Sequence, residues 1–162
     1  GGQVDVLVSS SGTGGTISGV SRSLKERHPG IRVVLADAFG SGMYSWVTKG
    51  VIESSGSSIT EGIGIMRITQ NFASAKIDVA LQVTDQQMIE MLYHLAKNDS
   101  LVVGTSAALN VRAAYEIAKK LPGSGRTVVT FLCDHGSRYA SRVFNPEFLK
   151  SKSLDPNSPM FA

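Results

Sequence analysis

The sequence runs to 162 residues, 42% of them apolar and 18% charged, with a net charge of +3, the proportions of one ordinary globular domain. Its single cysteine, Cys133, excludes an intrachain disulfide and fits a reducing compartment, and no apolar run approaches the ~18 residues of a membrane span. Lysines and arginines are spread over predicted helix faces (Arg22, Lys25, Arg27; Arg112, Lys119, Lys120), which reads as solvated surface and not as a nucleic-acid stripe.

A buried strand is predicted at Val4–Ser9, almost directly after Gly1-Gly2. So early a strand suggests a fold entered in progress, with any targeting segment upstream. Ile17, Val20 and Leu24 recur at i, i+3 and i+7 and predict an amphipathic helix, ended by His28-Pro29-Gly30. Ile31–Leu35 is a second short apolar strand. Residues 38–60, rich in glycine and serine, read as a long loop excursion. Val79–Val83 alternates as a strand, and Thr84 with Gln87 forms a capping box for a helix that buries Met88, Leu92 and Leu95. Leu101-Val102-Val103 is a brief apolar run stopped by Gly104. The next helix, about Ser106 to Leu121, is predicted to turn Val111, Ala114, Tyr115 and Ala118 to the core and to close at Pro122-Gly123. Thr127–Cys133 is β-branched and reads as a strand buried on both sides. The tail, 151–162, has two prolines and no periodicity and is expected to be extended.

This alternation predicts an α/β fold: a three-layer arrangement of a parallel sheet with helices on both faces. Ligands in such sheets bind beyond the carboxyl ends of the strands, here after Ser9, Leu35, Val103 and Cys133. Gly12-Thr13-Gly14-Gly15-Thr16 lies at the first of these places, between a strand and a helix. It can be a tight turn, or an anion cradle of close-approaching backbone and free helix N–H groups. It lacks the Gly-Lys-Ser/Thr ending of a nucleoside-triphosphate loop and the G-x-G-x-x-G spacing of a dinucleotide site, so a phosphate is the better fit. Ser106 falls where a strand end meets a helix, the place of an ordinary N-cap. After the last strand come Asp134, His135 and Arg138. Cys133 and His135 could pair as nucleophile and base, but no third group orients them, so a packed cysteine is the stronger reading. His28 and His94 sit on charged helix faces and read as structural, and no metal-ligand spacing is present.

Together, "SGTGGTISGV" (11–20), "GSSITEGIGI" (56–65), "GTSAALN" (104–110) and "LCDHGSRYASRVFNPEFL" (132–149) resemble the C-terminal half of the cysteine synthase and cystathionine β-synthase family. These are fold type II pyridoxal-phosphate enzymes. The resemblance implies that Gly12, Thr13, Gly14, Gly15 and Thr16 bind the phosphate of pyridoxal 5′-phosphate and that Ser106 bonds its pyridine nitrogen. It also implies that Glu61, Gly62, Ile63 and Gly64 border the substrate entrance. The family's Schiff-base lysine has no counterpart here and is expected upstream; Lys49 and Lys76 do not match it. Ala107 and Ala108 stand where many synthases have Ser-Gly, and His135 where a smaller residue is usual.

The resemblance thus implies a phosphate-binding domain at residues 1–150 of a longer enzyme, followed by the tail. The implied activity is cysteine synthesis from O-acetylserine, or a related activated serine, and sulfide. Cystathionine β-synthase or serine/threonine dehydratase chemistry is the alternative on the same fold, and a noncatalytic phosphate-ligand or partner-binding module the alternative of another class. The implied partners are the N-terminal half of the same enzyme and a second copy in a homodimer, with no nucleic acid and no membrane. The expected compartment is the cytoplasm, or the mitochondrion if a targeting segment lies upstream.

Overall fold

The computed structural model describes residues 3–121, 123 and 125–158. Its centre is a four-stranded sheet of β1 (Val6–Ser9), β2 (Arg32–Ala38), β3 (Val79–Val83) and β4 (Val128–Val129), in the order β3-β2-β1-β4. Every pairing is parallel, with Val6 opposite Arg32, Val34 opposite Val79 and Val6 opposite Val128. β1 and all of β2 after Arg32 are buried, which is why Val6–Val8 and Val33–Ala36 are apolar without interruption.

Successive strand residues point to opposite faces, and the two faces carry separate cores. Val6, Val8, Val34 and Ala36 pack with residues of α4 (Asp85–Asn98) and α5 (Thr105–Ala118). Leu7, Val33 and Leu35 pack with Ile17 of α1 (Gly15–Arg27), Met43 of α2 (Met43–Lys49) and Phe72 of α3 (Gln70–Ala73). Helices therefore cover both faces, the predicted three-layer α/β arrangement. Each large apolar side chain removed from water in these layers is worth about 1.5–3 kcal/mol.

The Thr84 box is formed: the Thr84 hydroxyl accepts the Gln87 N–H at 3.2 Å, and the Gln87 side chain accepts the Thr84 N–H at 3.0 Å. Met88, Leu92 and Leu95 are buried as expected.

Several expectations change. The Thr127–Cys133 strand shrinks to Val128–Val129, and Val129 is exposed. β4 is the edge strand, and beyond it the Thr130 hydroxyl, not a backbone group, bonds the Val8 carbonyl at 2.8 Å. Leu101–Val103 is no strand: Leu101 and Val102 are exposed, and Val103 makes a single bridge to His135. On α5 the buried apolar residues past the first turn are Leu109, Ala113 and Ile117, because α5 packs on α4 as well as on the sheet; Val111, Ala114 and Tyr115 of the predicted stripe pack half-buried against the same core, and Ala118 is exposed. The region 38–60 contains α2.

The tail is not extended over its described part. A last helix, α6 (Pro146–Ser151), reaches into it. Gln86 of α4 then donates to the Asp155 carbonyl at 2.8 Å, and Ser158 donates to Glu90 at 2.9 Å. These bonds hold the tail on α4. Pro122 and residues 159–162 lie outside the described residues, as does Gly1-Gly2.

Candidate functional site

β1 delivers the chain to the carboxyl edge of the sheet, and Gly12–Thr16 turns it into α1. Gly12 lies under the Gly62 carbonyl, where a Cβ would collide with the oxygen. Gly14 is the α1 N-cap at φ +85°, a left-handed conformation that favours glycine. A side chain there would also meet the Phe72 backbone at 2.7 Å. The cap carries no side-chain oxygen and the first turn no acidic residue, so the first N–H groups of α1 are open to an anion.

α5 begins beside it. Its N-cap is Gly104, not Ser106. The Asp134 carboxyl group fills the space where a Gly104 side chain would lie. Ser106 stands inside the first turn of α5, nearly buried, and its hydroxyl caps nothing. The Tyr139 hydroxyl donates to Asp134 Oδ2 at 2.8 Å, and burial, reinforced by that carboxylate, pushes the phenol's pKa up. The other Asp134 oxygen, Oδ1, is buried without a hydrogen-bond partner. Arg138 Nη1 lies 3.6 Å from Asp134 Oδ2.

Asn110, fully buried on α5, joins the walls: its Oδ1 accepts the Ser10 N–H at 2.6 Å and its Nδ2 donates to the Phe131 carbonyl at 3.0 Å. Sequence reading did not single it out. The available signal was an amide in the middle of the otherwise apolar Ala-Ala-Leu-Asn-Val run.

The third wall is the irregular loop before α3. Asp85 Oδ2 accepts the Ile59 N–H at 2.9 Å, the Gly64 N–H donates to the Ser11 carbonyl at 3.0 Å, and Glu61 pairs with Arg142.

These walls enclose a cavity of about 440 Å³. Of the residues expected at the site, it brings together Gly12, Thr16, Glu61, Gly62, Ile63 and Ser106, and adds Ser9, Ser10, Phe131, Cys133, Asp134, Arg138 and Tyr139. Thr13, Gly14, Gly15 and Gly64 are not on its wall. Thr13 is exposed and its carbonyl accepts the Thr69 hydroxyl at 2.6 Å; Gly14 packs on Phe72; Gly15 opens the helix with Asn71 nearby. Gly64 lines a neighbouring hollow with Ala38 and Gly40. No lysine is among the residues on the cavity wall. Lys49 lies on α2 beside Glu53 at 3.4 Å.

Cys133 is exposed on the cavity wall and not packed, its sulfur accepting from Asn110 Nδ2 at 3.5 Å. His135 is the N-cap of the 3-10 turn Gly136–Tyr139, its ring nitrogen accepting the Ser137 N–H at 3.1 Å. That ring serves the turn and does not pair with the thiol.

Comparison with known proteins adds relatives to this geometry. The family described as pyridoxal-phosphate dependent enzyme matches residues 1–134. Cysteine synthase 2 of Schizosaccharomyces pombe is 46% identical over 171 residues, a match covering 98% of this chain and 43% of the relative. Cysteine synthase 1 of Neurospora crassa is 46% identical over 159 residues, covering 95% of this chain and 42% of the relative. Among solved structures, the O-acetylserine dependent cystathionine beta-synthase from Helicobacter pylori superimposes with a TM-score of 0.75 at 33% identity, covering 86% of this chain and 43% of that one. The chain thus spans less than half the length of these relatives.

Proposed function

The chain belongs to the pyridoxal-phosphate dependent enzymes, and from that premise we propose that it forms the cofactor-phosphate side of a cysteine synthase. The proposed substrates are an activated serine, such as O-acetylserine, and sulfide. In the reaction the ester Cβ–O bond breaks, acetate leaves with the electron pair, and a C–S bond to sulfide takes its place. The observation that carries this reading is the meeting of Gly12 and Thr16, Ser106, and Glu61–Ile63 in one cavity at the carboxyl edge of a parallel sheet.

The family's cofactor is pyridoxal 5′-phosphate, and the residues fit it. The glycine cap of α1, with no acidic residue in its first turn, suits a phosphate. The free hydroxyl of Ser106 on the cavity wall suits a ring nitrogen. When bound, the cofactor supplies an electron-withdrawing ring that acidifies the substrate α-carbon. In this reading, Gly12 and Thr16 on the cavity wall would hold the phosphate, with the open N–H groups at the start of α1 and the Thr16 hydroxyl as donors. The Ser106 hydroxyl would hold the ring nitrogen less firmly than a carboxylate, which would favour loss of a β-substituent. Glu61, Gly62 and Ile63 border the entrance, and Asn110 ties the chain after β1 to the chain after β4. The general base belongs to the part of the enzyme that this chain does not span. The rest of that enzyme and a second copy in a homodimer are the proposed partners, in the cytoplasm or the mitochondrion.

A second reading, cystathionine formation, is favoured by the likeness to the Helicobacter pylori structure. The test is to give the enzyme containing this chain O-acetylserine with either sulfide or homocysteine and to resolve the products. Cysteine from sulfide is expected; cystathionine alone would transfer the assignment to the second reading. No turnover and no cofactor binding would favour a noncatalytic module.

A further inference from the structure

Between Ile59, tied to Asp85, and Gly64, tied to Ser11, three residues form the loop's part of the cavity wall: Glu61, Gly62 and Ile63. Gly62 and Gly64 both sit at φ +74°, so the peptides around them have backbone freedom that other residues lack. Among the described residues, the side chain that bonds this segment to the rest of the fold is Arg142, from the stretch between the 3-10 turn and α6. Its guanidinium meets the Glu61 carboxylate, reaches the Ile59 carbonyl at 3.4 Å, and lies 5.1 Å from the centre of the Phe148 ring. Phe148 on α6 thus orients the arginine before it meets the loop.

The geometry points to Arg142 as a positioning residue for the substrate entrance. By holding Glu61, it keeps the Gly62 carbonyl over Gly12 and the 61–63 wall closed on the cavity. Arg142 is not itself on the cavity wall, so its effect falls on substrate affinity more than on the chemical step. The inference rests on the synthase reading for the identity of the substrate, but not for the latch itself. Both partners are partly exposed, with side-chain accessibilities of 39% and 47%, so the latch is weak enough to open and sensitive to salt.

The test compares Arg142→Met, which keeps an apolar stem on Phe148 but loses the charge, with Arg142→Lys, which keeps the charge. Both are made in the cofactor-loaded enzyme containing this chain. Arg142→Met is expected to raise KM for O-acetylserine about three- to fivefold while kcat stays within roughly twofold. Amide exchange at residues 60–63 should quicken while exchange in β1 and α5 is unchanged. Arg142→Lys should remain within about twofold of the parent in KM and restore slow exchange. Unaltered exchange at 60–63 in Arg142→Met would overturn the latch. So would faster exchange throughout the chain, or a fall in kcat at constant KM. An enzyme that does not turn over O-acetylserine would refute the synthase reading, and the exchange measurement would still decide the latch.

Discussion

At the residue scale, Ser106 separates chemistry from capping. Gly104 holds the N-cap position, so losing the Ser106 hydroxyl costs the helix little. Ser106→Ala is expected to keep the fold within about 0.5 kcal/mol, keep the cofactor bound, and alter its absorbance and turnover. Ser106→Asp should impair β-replacement more, because a carboxylate would hold the ring nitrogen protonated. Unfolding curves, cofactor spectra and turnover check both; unchanged spectra and turnover in both would make Ser106 structural. Asp37 tests electrostatics away from the cavity. It is buried at the end of β2, where its Oδ2 accepts the Tyr44 N–H at 2.8 Å. Burial, only partly offset by hydrogen bonds, raises its pKa above the ordinary 3.8. The native state then holds a proton that the unfolded chain has lost, so stability falls as pH rises from 3.8 through the raised pKa. Denaturant unfolding across that interval should show this slope in the parent, and Asp37→Asn should flatten it.

At the element scale, the start of α1 shows why one glycine-rich loop needs two experiments. Gly14 is fixed by its positive φ and by Phe72. Gly14→Val is therefore expected to cost more than about 1 kcal/mol of stability as well as cofactor affinity. A side chain at Gly15 meets only Asn71 Nδ2, at 3.9 Å. Gly15→Val should weaken cofactor binding with little change in melting temperature. Equilibrium dialysis beside thermal melting distinguishes the two, and parallel losses at Gly15 would reduce it to a turn residue. The α1 stripe and the Thr84 box were legible because their partners lie within one or two helical turns. β4 was misjudged because β-branched composition reports local backbone preference, not whether a neighbouring strand lies on each side.

At the scale of the whole molecule, the exposed apolar surface is uneven. Ile52 and Met66 meet over Gly42, and Trp46 follows one turn along α2; all three are exposed. Such a patch favours association. The 162-residue chain alone is expected to self-associate in sedimentation, and Met66→Glu to shift it toward monomer without lowering its melting temperature. A monomeric parent at the same concentration would refute this.

The sequence by itself determined most of the alternation of strands and helices, the parallel three-layer arrangement, and the places after the strands where the candidate site residues lie. Each depends on periodicities of two or 3.6 residues and on caps, which neighbours in the chain specify. Only the tertiary structure decided which of those residues share a cavity. Asn110 reaches Ser10 across 100 positions and Arg142 reaches Glu61 across 81. No local pattern encodes such a meeting, because it exists only once two cores have packed on opposite faces of one sheet.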